Sequence, residues 1–260
     1  MSLYQIKKYP QFLFKSKNQH GVHSPFVFEL IHEVFTADKT YYAFEEIEKT
    51  RNILLNDHSL IDVTDMGAGS HQMKKNKRKV SAIAKYSLTP AKQAQILFRL
   101  ANKFQPKHIF ELGTSLGIMT TYFSKSCPNS QITSFEGCPN VSIKANEVFS
   151  ELGINNVELI VGNMDETLSE KLEGTRKIDF AFIDGNHRKA PTLNYTNQII
   201  KKSHSNSILI LDDIYWSSEM NDAWEELKNH PQVTISIDIF HKGFLFFRKG
   251  IEKQHFYLRV

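Results

Sequence analysis

Long apolar runs are missing from this chain of 260 residues. Nowhere does a stretch approach the ~20 residues that a membrane-spanning helix needs, so no membrane role is expected. The opening residues Met1-Ser2-Leu3-Tyr4-Gln5-Ile6-Lys7-Lys8-Tyr9-Pro10 are broken by charge and proline before a signal-peptide core can form. Cysteine is nearly absent too. Cys127 and Cys138, each followed by proline, offer neither a disulfide framework nor a zinc site, which points to a reducing cytoplasm. There is no internal repeat and no low-complexity tract. Acidic residues are absent from His71 to Lys92, where seven basic residues stand, so the +4 net charge comes from one segment and the rest of the chain is net negative. Preceded by Gly67-Ala68-Gly69-Ser70, the Lys74 to Lys79 run reads as a solvated basic loop or lid; it lacks the interleaved aromatics of a base-stacking surface.

A hydrophobic content of 41% lets a chain of this length bury a full core. Residues 1–80 lack strand–helix alternation and predict a helical N-terminal extension, with a capped helix at Pro25 and another over Tyr41 to Leu55. From 81 to 260 the alternation is regular. A helix over Pro90 to Phe104 is followed by strands near His108, Gln131, Val157, Lys177 and Ser207, with helices such as Asn140 to Leu152 and Glu219 to Asn229 between them. Thr234 to Phe240 and Gly243 to Arg248 read as an antiparallel hairpin closing a parallel sheet. The expected fold is α/β: Rossmann-like, doubly wound, seven-stranded and mostly parallel, with an antiparallel C-terminal strand.

The G-x-G-x-x-G spelling of a dinucleotide site is also missing. In its place Ile109-Phe110-Glu111-Leu112-Gly113-Thr114-Ser115-Leu116-Gly117 runs from an apolar strand through an acid and a glycine turn into a helix pattern. Gly113 lets the backbone turn sharply, and Gly117 bares the start of the helix for close approach to a ligand. A carboxylate at 111 repels a pyrophosphate and suits a cationic ligand. About 25 residues later Gln131-Ile132-Thr133-Ser134-Phe135-Glu136-Gly137 reads as the next parallel strand, ending in an acid placed to grip a ribose diol.

These motifs resemble the class I S-adenosylmethionine-dependent methyltransferases, and most nearly the catechol and caffeoyl-CoA O-methyltransferase group, over roughly Val80 to Val260. The resemblance implies that the turn bearing Glu111, Gly113, Thr114, Ser115 and Gly117 holds the amino-acid part of S-adenosylmethionine. It implies that Glu136, followed by Gly137, takes the ribose, and that Asn163 and Met164 flank the adenine.

Two further apolar strands end in carboxylates: Ile178 to Ile183 before Asp184, and Ile208 to Leu211 before Asp212 and Asp213. Neighbouring strand tips converge in such a sheet, so the three aspartates are candidate hard-oxygen ligands for Mg²⁺ or another divalent cation, which would relieve their mutual repulsion. The metal-dependent O-methyltransferases are similar here, with an aspartate after the fourth strand and an Asp-Asn pair after the fifth; Asp213 departs from that pair. Where the family carries a lysine near the substrate hydroxyl, this chain has His187. A neutral imidazole can take a proton near neutral pH, so His187 is the candidate base, with Asp184 at the reactive end of the cofactor. Tyr215 and Trp216 are candidate acceptor contacts. The expected activity is methyl transfer to a hydroxyl of a small molecule. Alternatives are methylation of a tRNA base, with the basic loop on phosphate, or cofactor binding without catalysis. A homodimer is in keeping with the resemblance, and the acceptor's identity has no readable code.

Overall fold

The computed structural model describes residues 2–18, 21–64 and 76–260, so Gly67 to Ser70, Lys74 and Lys75 of the basic loop lie outside the described residues. In chain order the elements are α1 (Leu3–Lys15), α2 (Pro25–Leu30) running into a π-helical turn (Ile31–Phe35), α3 (Tyr42–Asn56), β1 (Leu60–Asp62), β2 (Lys77–Lys79), α4 (Val80–Ser87) and α5 (Ala91–Phe104). There follow β3 (His108–Leu112), α6 (Ile118–Ser126), β4 (Gln131–Glu136), α7 (Pro139–Glu151), β5 (Val157–Val161) and α8 (Met164–Glu173). The rest comprises β6 (Phe180–Ile183), α9 (Lys189–Ile200), β7 (Ile208–Asp212), α10 (Ser218–Lys228), β8 (Ile235–Asp238), β9 (Lys242–Phe246) and β10 (Gln254–Tyr257). Two compact units result, a continuous one from Asp38 to Leu168 and a split one combining Met1–Ala37 with Ser169–Val260.

In the continuous unit β3, β4 and β5 pair in parallel, with Leu112 opposite Phe135 and Glu136 opposite Val161. Ile109, Phe110, Leu112, Ile132 and Phe135 are buried, as expected of parallel strands covered on both faces. Helix α5 buries Leu97, Phe98, Leu100 and Ala101. Helix α3 is anchored to α6 by an edge-to-face and tilted cluster of Phe44, Phe98 and Tyr122, and by the Tyr122 hydroxyl donating to Glu48 at 2.8 Å. Lys77, Arg78 and Lys79 form β2, antiparallel to β1, where a loop was expected. Asn140 Nδ2 donates to the Asp62 carbonyl at 2.8 Å and holds that small sheet beside the start of α7.

In the split unit β6 and β7 are parallel, β9 is antiparallel to both β7 and β8, and β10 runs parallel to β8. The described strands of the two sets therefore number eight, one more than expected. The additional strand, β10, reads Gln-His-Phe-Tyr and is only partly buried, so it lacks the apolar run that marks β6 and β7. Helix α10 begins at Ser217, whose hydroxyl accepts from the Met220 amide, and lays Trp224 on the sheet. The strand beneath gives way to it, since a Cβ at Gly243 would stand 2.5 Å from the Trp224 ring. Helix α1 is closed by a Ser2/Gln5 capping box, and Phe12 packs 5.3 Å from the Phe240 ring.

Gly243→Ala should overpack this contact and cost about 1–3 kcal/mol, lowering the urea midpoint without a change in slope. An unchanged midpoint would show that Trp224 has room to move.

Candidate active site

The glycine turn is built by hydrogen bonds that leave the strand tips. The amides of Gly113 and Thr114 both donate to the Phe135 carbonyl at 3.0 Å, and the Gly162 amide donates to the Glu136 carbonyl at 3.0 Å. The ends of β3, β4 and β5 are thereby tied together. Gly113 (φ 104°) and Gly117 (φ 78°) both adopt the left-handed region that favours glycine, and Ser115 joins them at φ 49°. What the missing Cβ of Gly117 makes room for is protein: it would lie 2.7 Å from the Phe149 ring of α7. Close helix packing is therefore one physical reason for that glycine.

Glu136 holds the turn from the side. Its Oε2 accepts from the Ser115 amide and its Oε1 from the Cys138 amide, each at 2.9 Å, so Gly137 lies inside the arc that the carboxylate closes. A carboxylate is the kind of acceptor that hydrogen bonding to a diol requires. Asn163 caps α8, accepting from the Asp165 amide at 3.2 Å, and Met164 opens that helix, half-buried.

Glu111 is wholly buried. Its Oε2 accepts from Thr120 Oγ1 at 2.5 Å and from Ser134 Oγ at 2.6 Å. The Ser134 proton is thus committed, so Thr114 Oγ1 is the donor in its 2.5 Å bond to Ser134 Oγ. Thr120 and Ser134 carry no motif and were not singled out in the sequence; the register of β3 on β4 sets Ser134 opposite Glu111, and the first turn of α6 brings Thr120 back to it. Burial pushes the Glu111 carboxyl up to about 7 against the lowering effect of its two hydroxyl donors, with the Glu136 charge adding to the rise. Glu111 Oε1 and Ser115 Oγ are both buried and have no partner among the described residues. Two orphaned polar atoms at one turn are costly in a finished core and fit a turn completed by a polar, cationic ligand.

The second group of residues belongs to the split unit. Asp184 follows β6, and His187 Nε2 stands 3.6 Å from Asp184 Oδ1, beyond hydrogen-bond length. The His187 ring lies 6.3 Å from the Trp216 ring, tilted by 41°. The Trp216 carbonyl accepts from Ser2 Oγ at 2.9 Å, so the start of α1 lies against this loop. Asn186, at φ 49°, has a buried Oδ1 without a partner among the described residues. Tyr215 is placed differently from Trp216. It is buried, stacked 5.0 Å from Phe240 at 16°, and its hydroxyl donates to Asp238 Oδ2 at 2.7 Å, leaving Trp216 as the aromatic beside His187.

Asp184, Asp212 and Asp213 were the expected metal cluster. Among the described residues no three His, Cys, Asp or Glu side chains are gathered to hold a metal ion, so the three aspartates do not fit one as placed. Asp212 is paired instead with Lys242. Its ammonium group is fully buried and stands 2.5 Å from Asp212 Oδ1, which also accepts the Asp213 amide at 2.8 Å. Asp213 lies at φ 51°, and burial, then the neighbouring Asp212, push its carboxyl up to about 6. In the sequence Lys242 sits in a His-Lys-Gly stretch that reads as a turn; its position as the first residue of an antiparallel strand was the signal to follow.

Parallel strands with flanking helices in each unit, and the antiparallel β9 in the split one, make a Rossmann-like α/β fold. Residues 110–214 match the family described as "Methyltransferase domain". It is similar to a catechol O-methyltransferase from Niastella koreensis, at 26% identity over 133 residues, or 50% of this chain; the match spans 59% of that relative's length. Among solved structures it is similar in fold to a methyltransferase from Podospora anserina bound to S-adenosylhomocysteine (TM-score 0.61, 16% identity, 82% of this chain and 91% of that one). It is likewise similar to the O-methyltransferase TomG from Streptomyces achromogenes in complex with S-adenosylmethionine (TM-score 0.57, 17% identity, 85% and 95%).

The raised Glu111 carboxyl has a definite sign in stability. Its folded pKa of about 7 exceeds the ordinary value of 4.5, so its contribution is present below pH ~4.5 and is lost as pH rises through ~7. Glu111→Gln should remove up to about 3 kcal/mol of the stability difference between pH 5 and pH 8, read by urea unfolding at both. An unaltered difference would show that Glu111 does not titrate there.

Proposed function

We propose that this chain transfers the methyl group of S-adenosylmethionine to a hydroxyl of a small molecule. The observation that carries the reading is the glycine turn, clamped by Glu136 and left with two buried polar atoms, Glu111 Oε1 and Ser115 Oγ, that have no partner among the described residues. Bound there, the cofactor would supply an electrophilic methyl group on a sulfonium. The residues of the turn have separate tasks. Glu111 offers negative charge to the cationic amino-acid end, the Thr114-Ser134-Thr120 hydroxyls hold that carboxylate in place, and Glu136 presents two oxygens to the ribose. Asn163 and Met164 are assigned to the adenine.

The oxygen acceptor is supported by the O-methyltransferase names of the relatives and by the Asp184 and His187 pair. His187 is assigned the proton of the acceptor hydroxyl, with Asp184 at 3.6 Å to stabilise the imidazolium that forms. Methyl transfer from a cation to an oxyanion neutralises charge, so the site has more to do in positioning than in polarising. Trp216 is assigned the acceptor's apolar face. The buried free thiols of Cys127 and Cys138 suit a reducing cytoplasm, and no helix among the described residues is long and apolar enough to cross a membrane.

Calorimetric titration with S-adenosylmethionine and S-adenosylhomocysteine tests the donor half: binding of one equivalent is expected, and no affinity for either would remove the proposal. Glu136→Ala should weaken binding about 10- to 100-fold, the loss of one or two charge-assisted hydrogen bonds. Labelled cofactor incubated with metabolite and RNA pools then reads the acceptor class. Label entering only RNA would replace the small-molecule reading.

A further inference from the structure

We propose that Lys242 is the resident cation of the aspartate pair at the end of β7, taking the place of a divalent metal, and that this domain therefore works without one. The inference goes beyond the proposed methyl transfer and does not depend on it, because it concerns cation binding alone. Its basis is register and burial. Asp212 and Lys242 are directly opposed across the antiparallel β7–β9 pair, and such pairs point to the same face of the sheet. Lys242 has no solvent exposure, its Nζ is 2.5 Å from Asp212 Oδ1, and the same ammonium lies over the Phe182 ring of β6 at 5.3 Å from the centroid. A buried lysine keeps its charge only beside a compensating one, and here the strand opposite supplies it.

The consequence for metal binding is steric and electrostatic. Asp212 Oδ1 already holds an ammonium group and the Asp213 amide, so a divalent ion at this carboxylate would meet a fixed positive charge. Hard cations such as Mg²⁺ need several free carboxylate or water oxygens in a near-octahedral set. Lys242 takes Oδ1 out of that set, and its charge repels a divalent ion from the rest of the carboxylate. It does so from inside the sheet, so it is a positioning residue: it holds Asp212 and, through the Asp212 oxygen, the Asp213 amide.

The test is Mn²⁺ binding, read calorimetrically and by electron paramagnetic resonance on the chelator-treated full chain. The wild type is expected to take up no Mn²⁺ at about 1 mM, the weak end of carboxylate sites. Lys242→Met, which removes the fixed cation from Asp212, is expected to acquire one Mn²⁺ and a melting temperature that rises with added Mn²⁺. Lys242→Arg keeps a cation on the pair and is expected to stay indifferent to it. One equivalent bound by the wild type and lost in Asp212→Asn would overturn the proposal, as would a folded Lys242→Met that gains no affinity. If Lys242→Met is unfolded by circular dichroism, the wild-type and Asp212→Asn titrations decide the matter. All of these readings are indifferent to whether methyl transfer is observed.

Discussion

The acidic tip of β4 is the constraint on which the donor half of this protein depends. Glu136 accepts the backbone amides of Ser115 and Cys138, so one carboxylate joins the turn after β3 to the turn after β4. That charge is what holds the left-handed Ser115 in its conformation, and with it the shape of the turn. Glu111 then sits beneath the turn with one oxygen satisfied twice and the other without a partner among the described residues. A core that leaves a buried carboxylate oxygen open has a role for it, and a cationic ligand is the partner its chemistry suits.

The split unit solves a different electrostatic problem. Strand β7 ends in two consecutive aspartates, and their repulsion has to be balanced by something. A fully buried ammonium group does so, delivered by the first residue of β9. Aspartates at the tips of neighbouring strands can thus mean two things. Left bare they would attract a metal, whereas opposed by a lysine across an antiparallel pair they form an internal ion pair. The alternation of carboxylate-ended strands is identical in the two cases.

Much of the architecture was legible because its signals are local. Helix α5 begins one residue after Pro90, β3, β4 and β5 begin at His108, Gln131 and Val157 as expected, and the antiparallel β8–β9 pair follows from the short turn between two apolar runs. The π-helical turn after α2, the small β1–β2 sheet and β10 were not legible. Each is short, half-exposed or weakly apolar, and is held by partners distant in the chain, as Asn140 holds Asp62 and β8 holds β10.

At the level of chemistry the same division holds. The sequence by itself determined that an acid-edged glycine turn, a second acid one strand later and carboxylates after two apolar strands would exist, because these follow from residue type and strand–helix spacing. Only the tertiary structure decided what those carboxylates are bonded to. Strand register gave Glu111 its Ser134 donor and the start of α6 its Thr120 donor, the Tyr215 hydroxyl went to Asp238, and Lys242 was set against Asp212. Pairing across strands joins residues tens of positions apart in the chain, and a period of two carries no record of which strand lies opposite.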